Sequence, residues 1–161
     1  MADTIREQVI QALKGLVEYV TTVNGYNTNV GNAVYRGLVN ADMESTGALS
    51  FIFPGQDAAE RDMGAQILTM PVEVAAIHSL WTKDNDGNIV SYNASILGEE
   101  ILGDLIRAVV GGRDDINIVE DLAYTGGGIS DYPAPEDQVL WVQANFEVVY
   151  AITIGDPYSQ P

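Results

Sequence analysis

Cysteine is absent from this 161-residue chain, which removes disulfides and thiolate metal sites from consideration. Basic residues are scarce: seven Lys and Arg stand against 23 Asp and Glu, a formal net charge of −16. Tight nucleic-acid binding relies on Lys and Arg replacing counterions, so this balance argues against gripping DNA, with or without sequence specificity. No apolar run approaches the roughly 20 residues that would span a membrane. The opening MADTIREQ has no charged segment followed by an apolar one, so no secretion signal is expected and a cytoplasmic origin fits. What is present is enough for a core: 47% hydrophobic residues, with two Trp and eight Tyr, in a length typical of one domain. The expectation is a single domain over 1–161.

Two helices can be read from periodicity. Thr4-Ile5-Arg6-Glu7 has the spacing of a capping box, in which the Thr4 hydroxyl takes the Glu7 amide and Glu7 reaches back. Ile5, Val9, Ile10, Leu13, Leu16, Val17 and Val20 then recur at steps of three and four, predicting a helix over about 4–21 with one buried stripe. A second helix is predicted over about 93–110, burying Leu97, Ile101, Leu102, Leu105, Ile106 and Val109 and stopped by Gly111-Gly112.

Between and after them the pattern is extended. Residues 32–37 read as a short strand, ALSFIF (48–53) as another ended by Pro54-Gly55, and 67–81 as a long β-branched one with Pro71 at an edge or bulge. The clearest strand is 140–154. One face carries Leu140, Val142, Ala144, Phe146, Val148, Tyr150, Ile152 and Ile154. The other carries Trp141, Gln143, Asn145, Glu147, Val149, Ala151 and Thr153. Period two over that length places one face on helices and leaves the other partly wet or for a partner. At about 3.3 Å per residue the strand reaches roughly 45–50 Å. The fold class is therefore α+β, an antiparallel or mixed sheet with two main helices packed on one face.

Residues with chemical potential form no recognisable constellation. The run 82–93 has Asp84, Asp86 and Gly87 in the relation of a calcium loop, but Thr82 and Asn93 occupy the positions that need the first and the bidentate carboxylate. A plain turn is the better reading. Gly126-Gly127-Gly128 lacks the Lys-Ser/Thr pair of a phosphate loop and reads as a flexible loop. His78 is the only histidine, without a second His or a Cys, so a core or sheet-face role is expected. Adjacent carboxylates on a helix point apart, and Glu99-Glu100 reads as solvated surface; Asp114-Asp115 is likewise a sequence neighbour pair only. No catalytic, cofactor-binding or metal residues are assigned, and an enzyme is not expected.

Connectors carry the remaining signal. NADMESTG (40–47) and GQDAAERDMGAQ (55–66) are long, rich in small residues and free of obvious chemistry, as loops ordered by neighbours in an assembly are. With the wet face of the final strand they supply the candidate assembly interface: Asp42, Glu44, Asp57, Glu60, Arg61, Gln143, Asn145 and Glu147.

One amphipathic helix running into TTVNGYNTNVG and then VYRG resembles the N-terminal pattern of the tail terminator (tail completion) proteins of tailed bacteriophages. The likeness continues through PGQDAAERD, MPVEVAAI, the second helix, a GG-containing connector and a closing strand that ends in Gly155-Asp156-Pro157-Tyr158, covering roughly 4–158. Where the family carries a charged residue after the RG, this chain has Leu38. The resemblance implies a structural virion protein of the tail or neck, assembled in the host cytoplasm. Six copies would form a ring that caps the head-proximal end of the tail tube, ends tube polymerisation and meets the head connector. Its partners would be itself, the tail tube protein and the connector or neck protein, with no membrane. DNA would pass the lumen without specific binding, since acidic side chains there repel it over a screened range of about 8–10 Å. The alternatives are another neck or tail component, such as a head-completion or tube protein, or an acidic cation-binding module built on the Asp84/Asp86 turn.

Overall fold

The computed structural model describes residues 2–39, 47–131 and 138–161. Two helices, α1 (Ile5–Glu18) and α2 (Ala94–Gly111), pack on one face of a mixed six-stranded sheet, which establishes the expected α+β class. The strands are β1 (Val34–Arg36), β2 (Ala48–Pro54), β3 (Ala58–Asp62), β4 (Ala65–Ser79), β5 (Trp81–Lys83), β6 (Ile89–Ser91), β7 (Asp121–Asp131) and β8 (Val139–Thr153). The main sheet runs β1-β2-β4-β8-β7, with β3 also on β4, and β5-β6 forms a separate hairpin. Only β1 with β2 is parallel.

Strand β8 decides the register. Leu140, Val142, Ala144, Phe146, Val148 and Tyr150 are all buried against the helices, and the Leu, Val and Phe side chains contribute about 1.5–3 kcal/mol each. A slip of one residue would exchange that row for Gln143, Asn145 and Glu147, so alternation alone fixes which face is inside. β4 pairs with β8 along all of its length, from Ala65↔Thr153 to Ser79↔Val139.

Helix α1 buries Ile5, Val9, Ile10, Leu13 and Val17 as its periodicity requires. Only half of the capping box forms. The Glu7 amide donates to Thr4 Oγ1 at 3.1 Å, but the Glu7 carboxylate pairs instead with Arg36 of β1 at 2.5 Å. That guanidinium holds Glu7 below the ordinary carboxylate range. Helix α2 is capped by Asn93, whose side chain accepts from the Ser95 and Ile96 amides, and it buries Leu97, Ile101, Leu105 and Val109; Leu102 and Ile106 are half-buried. Gly112 ends it without a left-handed turn (φ −87°). Its need for glycine is space, since a Cβ there would fall 2.4 Å from Leu16 on α1.

Pro71 sits in a central strand rather than at an edge. Residues 54 and 58 pair with 72 and 69, so β2 and β3 form one long strand bulged at 55–57. Pro71 C=O accepts from the Gly55 amide across that bulge at 2.7 Å. In an antiparallel strand a residue's N–H and C=O point the same way, so the donor that proline lacks falls at this irregularity and costs no ladder bond.

Two expectations about loops need correction. The segment 55–66 is not a loop: β3 and the start of β4 pair from Ala58↔Thr69 to Asp62↔Ala65 as a hairpin with a two-residue turn. Met63 (φ 41°) and Gly64 (φ 96°) both take positive φ, as a type I′ turn demands. Gly126-Gly127-Gly128 is not a flexible loop either. It lies within β7, paired with β8, at φ of +149°, +155° and +148°. A Cβ on Gly127 would stand 2.2 Å from the Gln143 carbonyl oxygen, so the close approach of β8 needs bare backbone. The register shift between Tyr124 and Gly126 marks a bulge there. Of the connector 40–47, only Gly47 lies within the described residues.

Candidate functional site

The connector TTVNGYNTNVG has a structural partner that sequence reasoning did not find. Asp104, on α2 and 2% exposed, accepts from the Thr28 amide and hydroxyl, each at 2.8 Å, and from the Asn27 amide and side chain at 3.2 and 3.1 Å. A buried carboxylate is costly unless its lone pairs are filled, and here four donors from one loop fill them. Gly31 completes the joint, because a Cβ there would meet the Val17 carbonyl oxygen at 2.3 Å. Asp104 stands where the helical stripe predicts an inward residue, and that position was the available signal.

The sheet face away from the helices is the more suggestive surface. Tyr35, Phe51 and Phe53 from β1 and β2 sit beside Trp141 from β8. Ring centroids are 5.8 Å apart for Tyr35–Phe51, 6.2 Å for Phe51–Phe53 and 6.4 Å for the stacked Phe51–Trp141 pair. Leu49, Phe51 and Ile77 are buried there, whereas Trp141 is 39% exposed. Offset aromatic pairs of this kind contribute about 0.5–1.5 kcal/mol each beyond area. Farther along the same face lie Glu73, Gln143, Asn145 and Glu147, with Glu147 exposed and the others half-buried. Gln143 donates to Asn145 Oδ1 at 3.3 Å. Alternation within β2 puts Phe51 and Phe53 on one face, but nothing local in the sequence joins that face to Trp141.

The third feature is the β3–β4 hairpin. Every residue of β3 is exposed, Glu60 and Arg61 included, and Met63 at the tip is fully exposed. Its base is held: Asp57 pairs with Arg6, Tyr150 Oη donates to Asp57 Oδ2 at 2.9 Å, and Arg6 donates to the Gly55 carbonyl at 2.7 Å. Burial, reinforced by the Asp57 carboxylate, pushes the Tyr150 hydroxyl up to about 12.

The eight candidate interface residues therefore divide. Gln143, Asn145 and Glu147 share the open sheet face, Glu60 and Arg61 share the hairpin, and Asp57 is its anchor rather than a free contact. Asp42 and Glu44 lie outside the described residues.

The remaining sites are less open to chemistry. Asp84 spends its carboxylate on the Asp86 and Asn88 amides and the Asn88 side chain, which lowers its pKa and closes the β5–β6 turn. His78 is buried, donates from Nδ1 to the Ser79 carbonyl at 2.7 Å and meets the Tyr92 ring edge-on at 5.0 Å. A cleft of about 290 Å³ lies between the C-terminal ends of α1 and α2, lined by Leu16, Tyr19, Tyr26, Arg107, Gly112 and Asp115 among others. Arg107 is already engaged there, over the Tyr26 ring at 4.7 Å and donating to the Gly25 carbonyl. Among the described residues, no group of three or more His, Asp or Glu is placed to hold a metal ion. No family model matches the chain, and a search of curated proteins finds no match.

Proposed function

We propose that this chain is a structural ring subunit, the tail terminator of a tailed bacteriophage, which caps the head-proximal end of the tail tube. The observation that carries the reading is the pairing of two unlike surfaces on one subunit: an edge hairpin whose outer strand and tip are exposed, and a helix-free sheet face bearing a half-exposed tryptophan. Unlike surfaces favour head-to-tail contacts, and head-to-tail contacts close into rings when the rotation permits. Exposed aromatic surface on a chain of net charge −16 is a contact signal rather than a solubility device.

The acidity suits the same role. A ring with part of this charge on its lumen lets DNA pass without adhering, because like charges repel within the screening length of about 8–10 Å. The tube protein and the head connector are the partners this role requires, in a virion tail assembled in the host cytoplasm.

Light scattering on a sizing column over a concentration series, with negative-stain images of the heavy fraction, tests the proposal. Six copies of the 17.3 kDa chain give about 104 kDa, and the expected particle is a ring with a central hole. A chain that stays monomeric and also fails to bind the ends of purified tail tubes is not a terminator.

A further inference from the structure

We infer that the tip of the β3–β4 hairpin docks on the aromatic sheet face of a second copy of this chain, with Met63 on Trp141 and Phe53 and with Arg61 against Glu147 and Glu73. The occupant follows from chemistry and distance. Met63 sits in the turn just before β4 residue 65, whereas Phe53 and Trp141 pair with β4 residues 73 and 77. Eight to twelve residues of strand separate tip from patch, roughly 25–40 Å at about 3.3 Å per residue. One chain cannot bring them together, but two chains can, and a single such contact per pair of chains is head-to-tail.

Charge selects a copy of the same chain. Seven basic residues serve the whole molecule. Arg6, Lys14, Arg36 and Arg113 are in ion pairs, Arg107 is held by Tyr26 and Gly25, and Lys83 lies exposed on the separate β5–β6 hairpin. Arg61, exposed on β3 two residues before Met63, has no acidic partner within its own described residues. The open face offers Glu147, exposed, and Glu73 beside the aromatic strip. A thioether on aromatic rings is a favourable contact in its own right.

Backbone geometry supports the same surface. Met63 is the one non-glycine residue with positive φ among those described, at a turn position that Asn, Asp or Gly would fill without strain. The side chain touches nothing in its own subunit that would reward the strain, since it is fully exposed. Strain retained at an exposed apolar tip points to a contact outside the subunit.

The inference rests on the ring reading only for the number of copies. The cysteine-free chain allows a direct test. The variants Met63→Cys and Gln143→Cys are each made alone and combined in one chain, then treated with a short bis-maleimide. Mixing the two single variants is expected to give a covalent dimer that neither gives alone, and the double variant a ladder ending at six. Arg61→Glu is expected to abolish the cross-link, and Arg61→Glu with Glu147→Arg to restore it. A ladder continuing past six keeps the docking and overturns the ring. Native oligomers without the mixed cross-link overturn the docking and leave the ring standing. Monomers with no cross-link at the highest soluble concentration overturn the docking, and tube-end binding then decides the ring separately.

Discussion

Asp104 and Thr28 are joined by two hydrogen bonds of 2.8 Å, one from the Thr28 amide and one from its hydroxyl, and both residues are buried. Through this pair, α2 fixes the path of the connector that leads from α1 into β1. The asparagine-rich run is thus shaped by a single carboxylate 76 residues further on.

Replacing Asp104 by Ala leaves the Thr28 amide and hydroxyl and the Asn27 amide without their acceptor. The expected loss is about 2–4 kcal/mol, since unsatisfied buried donors cost roughly 1–3 kcal/mol each and a cavity lets some of them relax. Thr28→Val removes one donor and is expected to cost about 1–2 kcal/mol. Urea unfolding of the three proteins measures both values, and an unchanged midpoint for Asp104→Ala would refute the account.

Met63→Asn relieves the left-handed strain at the hairpin tip and is expected to raise stability by about 0.5–1 kcal/mol. The same change removes the apolar side chain proposed to meet a neighbour, so self-association should weaken as the melting temperature rises. Opposite movement of the two readouts is the expected signature. Parallel movement would mean that Met63 serves the fold alone.

Alkaline pH reports on Tyr150. Its hydroxyl, neutral in the folded state up to about 12 against an unfolded value of 10, makes the folded form bind more protons between those values. The contribution is complete below pH 10 and is lost as pH rises toward 12. Tyr150→Phe should cost about 1 kcal/mol at neutral pH and flatten that alkaline loss. Thermal melts from pH 8 to 11.5 test the slope.

Acid acts through His78. Burial holds its pKa below the ordinary imidazole value of 6.5, partly offset by the Ser79 carbonyl and by Glu100. The unfolded chain then takes up the proton first. Stability is unaffected above about pH 7 and falls as pH drops through 6.5 toward the folded value. His78→Gln should flatten that segment of the stability profile, read as urea midpoints between pH 7.5 and 5.

Trp141 offers an optical check on the open face. With Trp81→Phe as background, emission from the 39% exposed Trp141 should shift to shorter wavelength on assembly as water leaves the ring. Constant emission across a monomer-to-oligomer transition would place the contact elsewhere.

Period-two and helical alternation made α1, α2, β2, β4 and β8 legible before any coordinates, because each buries a continuous row of apolar side chains. β3 escaped because AAERD has no apolar face: it is exposed throughout and held by its pairing with β4. β7 escaped because three glycines read as freedom, whereas all three are paired in the strand and Gly127 needs bare backbone where Gln143 approaches. Of the interface residues, the row Gln143, Asn145 and Glu147 was legible from alternation. The aromatic strip was not, since it joins side chains from strands about 90 residues apart, and no local pattern encodes that pairing.

Strand β8 lies between β4 and β7, both of which precede it in the chain. Until it emerges from the ribosome, those two strands expose open edges and the helices have no continuous floor to cover. Pairing β4 with β8 closes loops of roughly 60–90 residues, the kind of distant contact that makes folding slow and leaves waiting edges prone to stick. A chain interrupted before β8 therefore cannot present the tryptophan face at all. Translation itself becomes a checkpoint: truncated products cannot finish the sheet, and any contact made through that face is closed to them.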